Sequence, residues 1–237
     1  MNASNYNKLV IDVETVGVDF DSLDDISKES LQKYFERYSK DNAEIEESKD
    51  KLGFWPVTGE IVTIGCLNPV TGKGVVYQQD NGVKLPKTLE EGIAVVSGSE
   101  KEILQKFWEA AEKYNYFITF NGRAFDAPYL MIRSAINGIR PSKNMMTNRY
   151  ISSQSWGALH IDLADQLTFY GATRRNFSLH FWSRAFGIQS PKEAGISGDD
   201  VKQLYKDKKI MEIMEYNVRD LRATAALYQK WEDYLSF

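Results

Sequence analysis

Three short patterns place acidic side chains where a folded chain normally places apolar ones. The first is Asp12-Val13-Glu14, which closes a nearly continuous apolar, β-branched run over residues 8–13. Such a run reads as a strand covered on both faces. Alternation sends Asp12 and Glu14 to one face and Leu9, Ile11 and Val13 to the other. Two like charges that close repel, and burying either is costly unless a divalent cation lies between them. The alternative is a strand that stops at Asp12, with both acids in water.

The second pattern is Tyr216-x-x-x-Asp220, in a long helical stretch over 209–231. At about 100° per residue from Tyr216, an arc from about 20° to about 180° holds the apolar positions, including Ile213, Leu221, Leu227 and Trp231. The charged residues Glu212, Glu215, Arg219, Arg222 and Lys230 lie outside that arc, but Asp220 lies inside it at about 40°. An acid there needs a core Arg or a metal. The third pattern runs from Asn121 through Arg123 and Phe125 to Asp126, after a strand-like segment and into a helix. In the first turn a carboxylate is favoured by the helix dipole, so capping by itself accounts for Asp126.

Together the patterns supply four acids from three elements: Asp12, Glu14, Asp126 and Asp220. Oxygen-only ligands without a Cys or His cluster favour Mg²⁺ or Mn²⁺ over zinc. Such ions suit phosphodiester cleavage, because one activates water and a pair stabilises both the attacking and the leaving oxygen.

The elements that must position these acids follow from periodicity. Residues 60–67 and 73–78 read as a hairpin around Asn-Pro-Val-Thr-Gly, and 116–120 and 158–163 as further strands. Ser99 and Glu102 form a capping-box pattern before a helix whose face carries Ile103, Leu104, Phe107, Trp108 and Ala111. Further helices are expected near 125–136, 177–186, 199–207 and 209–231. The expectation is a single α/β domain over residues 1–237, with about five strands in a mixed sheet flanked by helices. Residues 18–58 read as an acidic helical insertion with one docked helix, an exposed extension and too few apolar groups for a core of its own.

Composition narrows the class. The 237 residues are 43% hydrophobic and 26% charged, which excludes a disordered or collagen-like chain. A net charge of -4, from 29 basic against 33 acidic residues, excludes a wholly basic nucleic-acid binder. The charge is uneven: residues 1–119 sum to -8, residues 120–192 to +6 and the remainder to -2. The basic middle, with Arg123, Arg133, Arg140, Lys143, Arg149, Arg174 and Arg175, suits a phosphate-tracking groove or a solvated surface. The single Cys66 excludes an intramolecular disulfide and a cysteine zinc site. The start, MNASNYNKLVID, lacks a signal-peptide pattern, and no run is long enough to span a membrane. A soluble, cytoplasmic protein is expected.

In order and position, the three patterns resemble the D-x-E, N-x-x-x-F-D and Y-x-x-x-D motifs of DEDD 3′-5′ exonucleases, whose fold is ribonuclease H-like. Glu215 stands where a histidine-type member has His, and Tyr216 makes this the tyrosine type. FNGRAFDAPYL, HIDL at 160–163, FSLHFWSRAFGI with Lys192, and SGDDVKQLY leading into IMEYNVRDLRATAALY resemble stand-alone exonucleases related to the proofreading domain of family B DNA polymerases. The resemblance spans about residues 8–231 and weakens over 18–58. It implies that Asp12, Glu14 and Asp220 hold one divalent ion, and that Asp12 with Asp126 holds a second. It implies that Tyr216 orients water, while Thr15, Asn121, Arg123 and Phe125 border the terminal nucleotide. The implied substrate is a nucleic-acid 3′ end, single-stranded DNA first and RNA as the alternative. A silent nucleic-acid-binding or partner-docking module, working through the acidic insertion, is a third reading. Asp162 is expected as a helix cap or a supporting acid, His160 and His180 as structural, and the tryptophans as core or anchor residues. The loop at 140–157 is expected as a substrate flap or a connection.

Overall fold

A computed structural model describes residues 7–236; the start of the segment read for a leader, residues 1–6, lies outside the described residues. In chain order the elements are β1 (Lys8–Gly17), α1 (Asp25–Tyr38), α2 (Asn42–Asp50), β2 (Gly59–Leu67), β3 (Gly74–Gln79), β4 (Thr88–Glu90), β5 (Ile93–Gly98) and α3 (Glu100–Ala111). They continue with β6 (Tyr116–Thr119), α4 (Asp126–Ile136), β7 (Leu159–Asp162), α5 (Leu163–Leu167), α6 (Leu179–Ala185), α7 (Val201–Lys206) and α8 (Ile210–Tyr234).

The strands form one mixed sheet in the order β4-β5-β3-β2-β1-β6-β7. β1 is central: it runs antiparallel to β2 and parallel to β6. The sheet therefore has seven strands, two more than expected. The extra pair, β4 and β5, lies on the far edge, where β4 is only three residues long and largely exposed. Neither has a clear alternation, and β5 pairs in parallel with β3, a distant register that local sequence does not announce.

Alternation along β1 sorts the interior into two layers. Leu9, Ile11 and Val13 join Ile103, Phe107, Phe117 and Leu130 on the face covered by α3 and α4. Val10 and Val16 join Ile118, Ile213, Leu221 and Trp231 on the face covered by α8. Asp12 and Glu14 fall in the row between Val10 and Val16, so they stand beneath α8. The strand does not stop at Asp12 but runs on to Gly17, with a bulge in its pairing at Glu14/Thr15.

Residues 18–58 carry two helices rather than one. Their Phe35, Ile45 and Leu52 form a small cluster of their own, packed against Phe20, Leu23, Leu31 and Trp55. The extension over 39–51 reads as polar because only one side chain of α2, Ile45, is buried. Lys202 of α7 pairs with Asp50 at 2.7 Å, which ties the end of α2 to the rest of the chain. No helix among the described residues is long and apolar enough to cross a membrane.

The layer opposite α8 is fastened by one buried ion pair. The Glu100 carboxylate accepts from the Ile61 backbone N–H (2.8 Å), from Arg133 Nε (2.8 Å) and Nη2 (2.6 Å), and from Asn137 Nδ2 (2.9 Å). It thereby joins α3, β2 and α4. Removing one partner of such a pair leaves a buried charge uncompensated. Glu100→Ala is expected to cost about 3–5 kcal/mol in urea unfolding followed by circular dichroism. Ser99→Ala, which removes the cap of the same helix, should cost about 1 kcal/mol. Equal losses for the two would contradict this account.

Candidate active site

The α8 helix crosses above the Asp12–Glu14 row, and the apolar arc read from its sequence is the face that meets the sheet. Asp220 comes down with that face. Asp12, Glu14 and Asp220 each place a carboxylate oxygen within 4.8 Å of the others. Glu14 is buried, and the other two are half-buried. Tyr216 is buried one turn before Asp220, and its hydroxyl donates to the Asp220 carboxylate. Asp126 does not belong to that close group. It is buried at the start of α4, where its Oδ1 accepts the Val13 backbone N–H at 2.9 Å. Capping alone therefore does not account for Asp126; it also fastens α4 to β1 between the two acids of the first motif.

Burial, and then the neighbouring acids, push the Asp12 carboxyl well above its ordinary range. Burial, with Asp220 next, does the same to Glu14. Burial lifts Asp126 to about 7, and it lifts Asp220 to about 6 against the opposing effects of the Tyr216 hydrogen bond and of the Lys192 and Arg219 charges. Burial and the surrounding carboxylates push the Tyr216 hydroxyl far up, so it stays protonated. Among the described residues, no Lys or Arg forms an ion pair with any of the four acids. The core-Arg solution for Asp220 is thus not the one found. Hard oxygen donors that converge without an ion pair, with only Lys192 and Arg219 acting on Asp220, fit a divalent cation.

The second motif is set by Asp162. Its carboxylate caps α5 through the Ala164 N–H (3.0 Å) and also accepts the N–H groups of Asn121 (2.8 Å) and Arg123 (2.9 Å). This holds the turn after β6, in which Asn121 takes a left-handed φ of 62°. The expected helix cap is therefore present, and the same carboxylate also holds the Asn121 turn. The Arg123 guanidinium donates to the carbonyls of Met145 (3.4 Å) and Thr147 (3.2 Å), so it tethers the 140–157 loop. Thr15 Oγ1 donates to Gly53 O at 2.8 Å, and Tyr129 donates to the same oxygen at 2.8 Å. The turn that closes the 18–58 segment thus lies against β1. The approach leaves no room for side chains, because a Cβ on Gly17 would lie 2.4 Å from Gly53 N.

That clamp brings Phe54 opposite Phe125, with ring centroids 6.2 Å apart. The two rings line a cavity of about 440 Å³ with Glu14, Thr15, Lys51 and Lys206. A second cavity, also of about 440 Å³, is lined by Asn121, Phe177, His180, Lys192, Tyr216 and Asp220. Phe54 went unread in the sequence, although Gly53-Phe54-Trp55-Pro56 is an apolar break in a polar run. Asn217 did too. At about 100° it sits mid-arc on α8, but an uncharged side chain there drew no notice.

The remaining residues divide plainly. Burial holds His160 down to about 4, and its ring lies 2.8 Å from Thr119 Oγ1 and 3.0 Å from Met145 O, a structural role. His180 Nδ1 lies 2.6 Å from Ser190 Oγ at the edge of the second cavity. Trp108 and Trp231 are buried, whereas Trp156 is exposed. Arg133 and Arg149 are paired with Glu100 and Asp165, and Lys143 bonds to Gly157 O. Much of the basic middle is therefore engaged within the protein.

The raised carboxylates have a consequence for stability. Each binds its proton more tightly in the folded chain than in the unfolded one. Their contribution is full below the ordinary carboxylate range and is lost as pH rises through the folded values, about 6 for Asp220 and about 7 for Asp126. In EDTA, Tm is expected to fall between about pH 5 and about pH 8. Asp12→Asn removes one repelling charge and should raise Tm at the upper end and flatten the slope. A wild-type Tm that does not change with pH over this window would contradict the reading.

Comparison with known proteins places this geometry. DNA polymerase 1 of Saccharolobus solfataricus is 27% identical over 171 residues, covering 70% of this chain and 19% of the polymerase. DNA polymerase 1 of Sulfurisphaera ohwakuensis is 21% identical over 229 residues, covering 91% of this chain and 26% of the polymerase. The chain thus spans about a fifth to a quarter of these relatives. The family B DNA polymerase from the hyperthermophilic archaeon Pyrobaculum calidifontis shares the fold, with a TM-score of 0.61 and 17% identity over 96% of this chain and 24% of that one. The fold is the ribonuclease H-like α/β fold. Residues 60–235, which include Asp126, Tyr216 and Asp220 but not β1, match the description "predicted 3′-5′ exonuclease related to the exonuclease domain of PolB". By that match the chain belongs to the family of 3′-5′ exonucleases related to the exonuclease domain of PolB.

Proposed function

We propose that the protein is a divalent-metal-dependent 3′-5′ exonuclease that hydrolyses the terminal phosphodiester of single-stranded DNA and releases nucleoside 5′-monophosphates. The observation that carries this reading is the convergence of carboxylate oxygens of Asp12, Glu14 and Asp220 within 4.8 Å of one another. Asp12, Glu14 and Asp220 would hold one Mg²⁺ or Mn²⁺, and Asp12 with Asp126 a second. Bound ions would supply water activation and neutralisation of charge on the phosphate oxygens.

The chain's own groups do the rest. The Tyr216 hydroxyl, kept protonated beside Asp220, orients water through hydrogen bonds and does not serve as a base. Asp162 holds the Asn121 turn, and Asp126 holds α4 against β1, so the second motif faces the acids. Phe54 and Phe125 flank the cavity beside Glu14, where a terminal base would stack or be wedged from its neighbour. A nucleotide reaches such a cavity only as a frayed single strand. We assign the 18–58 insertion to the wall of this substrate cavity within a single exonuclease domain. Similarity to proteins named DNA polymerase 1 supports DNA over RNA as substrate.

The test is a 5′-labelled single-stranded DNA and a matching RNA, each incubated with Mg²⁺ or Mn²⁺. A one-nucleotide ladder is expected on DNA, and EDTA or Asp12→Ala should reduce it to background. Cleavage that survives Asp12→Ala would sink the assignment, and a ladder on RNA alone would move the substrate to RNA. Phe54→Ala is expected to weaken cleavage by roughly 5- to 100-fold, in line with about 1–3 kcal/mol for one stacked base. Loss of a binding partner on deletion of residues 18–58, with cleavage unchanged, would instead support a docking role for that segment.

A further inference from the structure

Asn217 follows Tyr216 on α8 and is fully buried. Its Nδ2 donates to Asp12 Oδ2 at 2.8 Å and lies 3.2 Å from the Asp12 carbonyl oxygen and 3.4 Å from Glu14 Oε1. One amide group thus reaches from the helix to both acids of β1. The other end of the side chain is in a different situation. Oδ1 is buried with no hydrogen-bond partner. It lies against Gly65 of β2, which pairs with Asp12 across the sheet. A Cβ at Gly65 would come within 1.8 Å of that oxygen and 2.7 Å of Leu221 Cδ1.

An orphaned buried oxygen destabilises a fold, and an apolar side chain of similar size would avoid the penalty. The amide nevertheless stands there, and it can stand only one way round. Turned over, its oxygen would face two carboxylates. The stability lost at Oδ1 is therefore tied to what Nδ2 does at the acids. Without a donor between them, two neighbouring carboxylates relieve their repulsion by turning apart. With one, both oxygens stay on the same side.

We propose that Asn217 is a positioning residue that holds Asp12 and Glu14 at the spacing a divalent ion requires, and that Gly65 is the gap that admits it. The proposal rests on the reading of the acid cluster as a divalent-ion site. Its action is preorganisation: the ligands are aligned before the ion arrives. Partners of this kind, one step removed from the ion, typically change metal affinity by about 10–100-fold when lost.

The test is Mn²⁺ binding to the full chain, read from the electron paramagnetic resonance signal of free Mn²⁺, with circular dichroism to confirm folding. Wild type is compared with Asn217→Leu, Asn217→Ser, Gly65→Ala and Asp12→Asn. Asn217→Leu is expected to weaken Mn²⁺ binding by about 10–100-fold, and Gly65→Ala to change it in the same direction. Asn217→Ser keeps a short donor and should fall between Asn217→Leu and wild type. Cleavage by the Asn217 variants should recover towards the wild-type kcat as Mn²⁺ is raised to saturation, which a merely structural lesion would not do. Mn²⁺ affinity within about two-fold of wild type in both Asn217 variants would overturn the proposal. If Asn217→Leu does not fold, Asn217→Ser decides alone. Wild type that binds Mn²⁺ no better than Asp12→Asn would overturn the ion-site reading itself, a failure visible before any Asn217 variant is measured.

Discussion

Repulsion among carboxylates on one covered face of a sheet is the constraint around which the rest of this molecule is arranged. Asp12 and Glu14 occupy positions of the central strand that its neighbours Val10 and Val16 would lead one to expect as apolar, and Asp220 descends on them from the helix above. Among the described residues none of them has a Lys or Arg in an ion pair, and only Asp220 feels cations, Lys192 and Arg219, which offset its burial in part. Burial and the neighbouring acids raise the Asp12 and Glu14 carboxyls, and a divalent ion would relieve the repulsion. A fold that tolerates this arrangement must hold it firmly from every other side, because buried like charges left alone push the elements that carry them apart.

Each neighbouring element contributes to that restraint through backbone as much as through side chains. Asp126 uses one carboxylate oxygen to accept the Val13 N–H, so α4 is fastened to the strand between the two acids. Asp162 fastens the Asn121 turn and caps α5 with the same carboxylate. The Gly53 carbonyl receives both Thr15 and Tyr129, which draws the 18–58 segment onto β1 and sets Phe54 across from Phe125. Glu100 and Arg133 lock the opposite layer, away from the acids. Thr15 and Arg123, expected to border a terminal nucleotide, both donate to backbone carbonyls, and each lines a cavity.

The net charge of -4 is consistent with this division. Part of the acidic excess is the cluster itself, where bound divalent cations would reverse the local sign. Part lies in α1 and α2, on surfaces where it is paired along the helix, as in Lys33–Glu29 and Lys51–Glu47. Much of the basic middle is absorbed by internal partners. Overall charge was therefore a poor guide to nucleic-acid chemistry, and the location of uncompensated charge was a better one.

Periodicity alone carried a good deal. The shared face of Asp12 and Glu14, the intrusion of Asp220 into the apolar arc of α8, and the Asn121–Asp126 turn after a strand were all legible, because strand and helix geometry map sequence spacing directly onto direction. What escaped depends on contacts between residues far apart in the chain. The β4–β5 edge is specified by parallel pairing with β3, and the small cluster of Phe35, Ile45 and Leu52 by three scattered side chains in a polar stretch. Phe54 gains its place from a clamp between Gly53 and β1, and Asn217 from the missing side chain of Gly65 in another strand. The sequence by itself determined which acids exist and which faces they occupy, since that is local geometry. Only the tertiary structure decided that three of them meet within 4.8 Å, and that an amide with one orphaned oxygen stands between two of them. Distances between elements are set by packing, which no local spacing encodes.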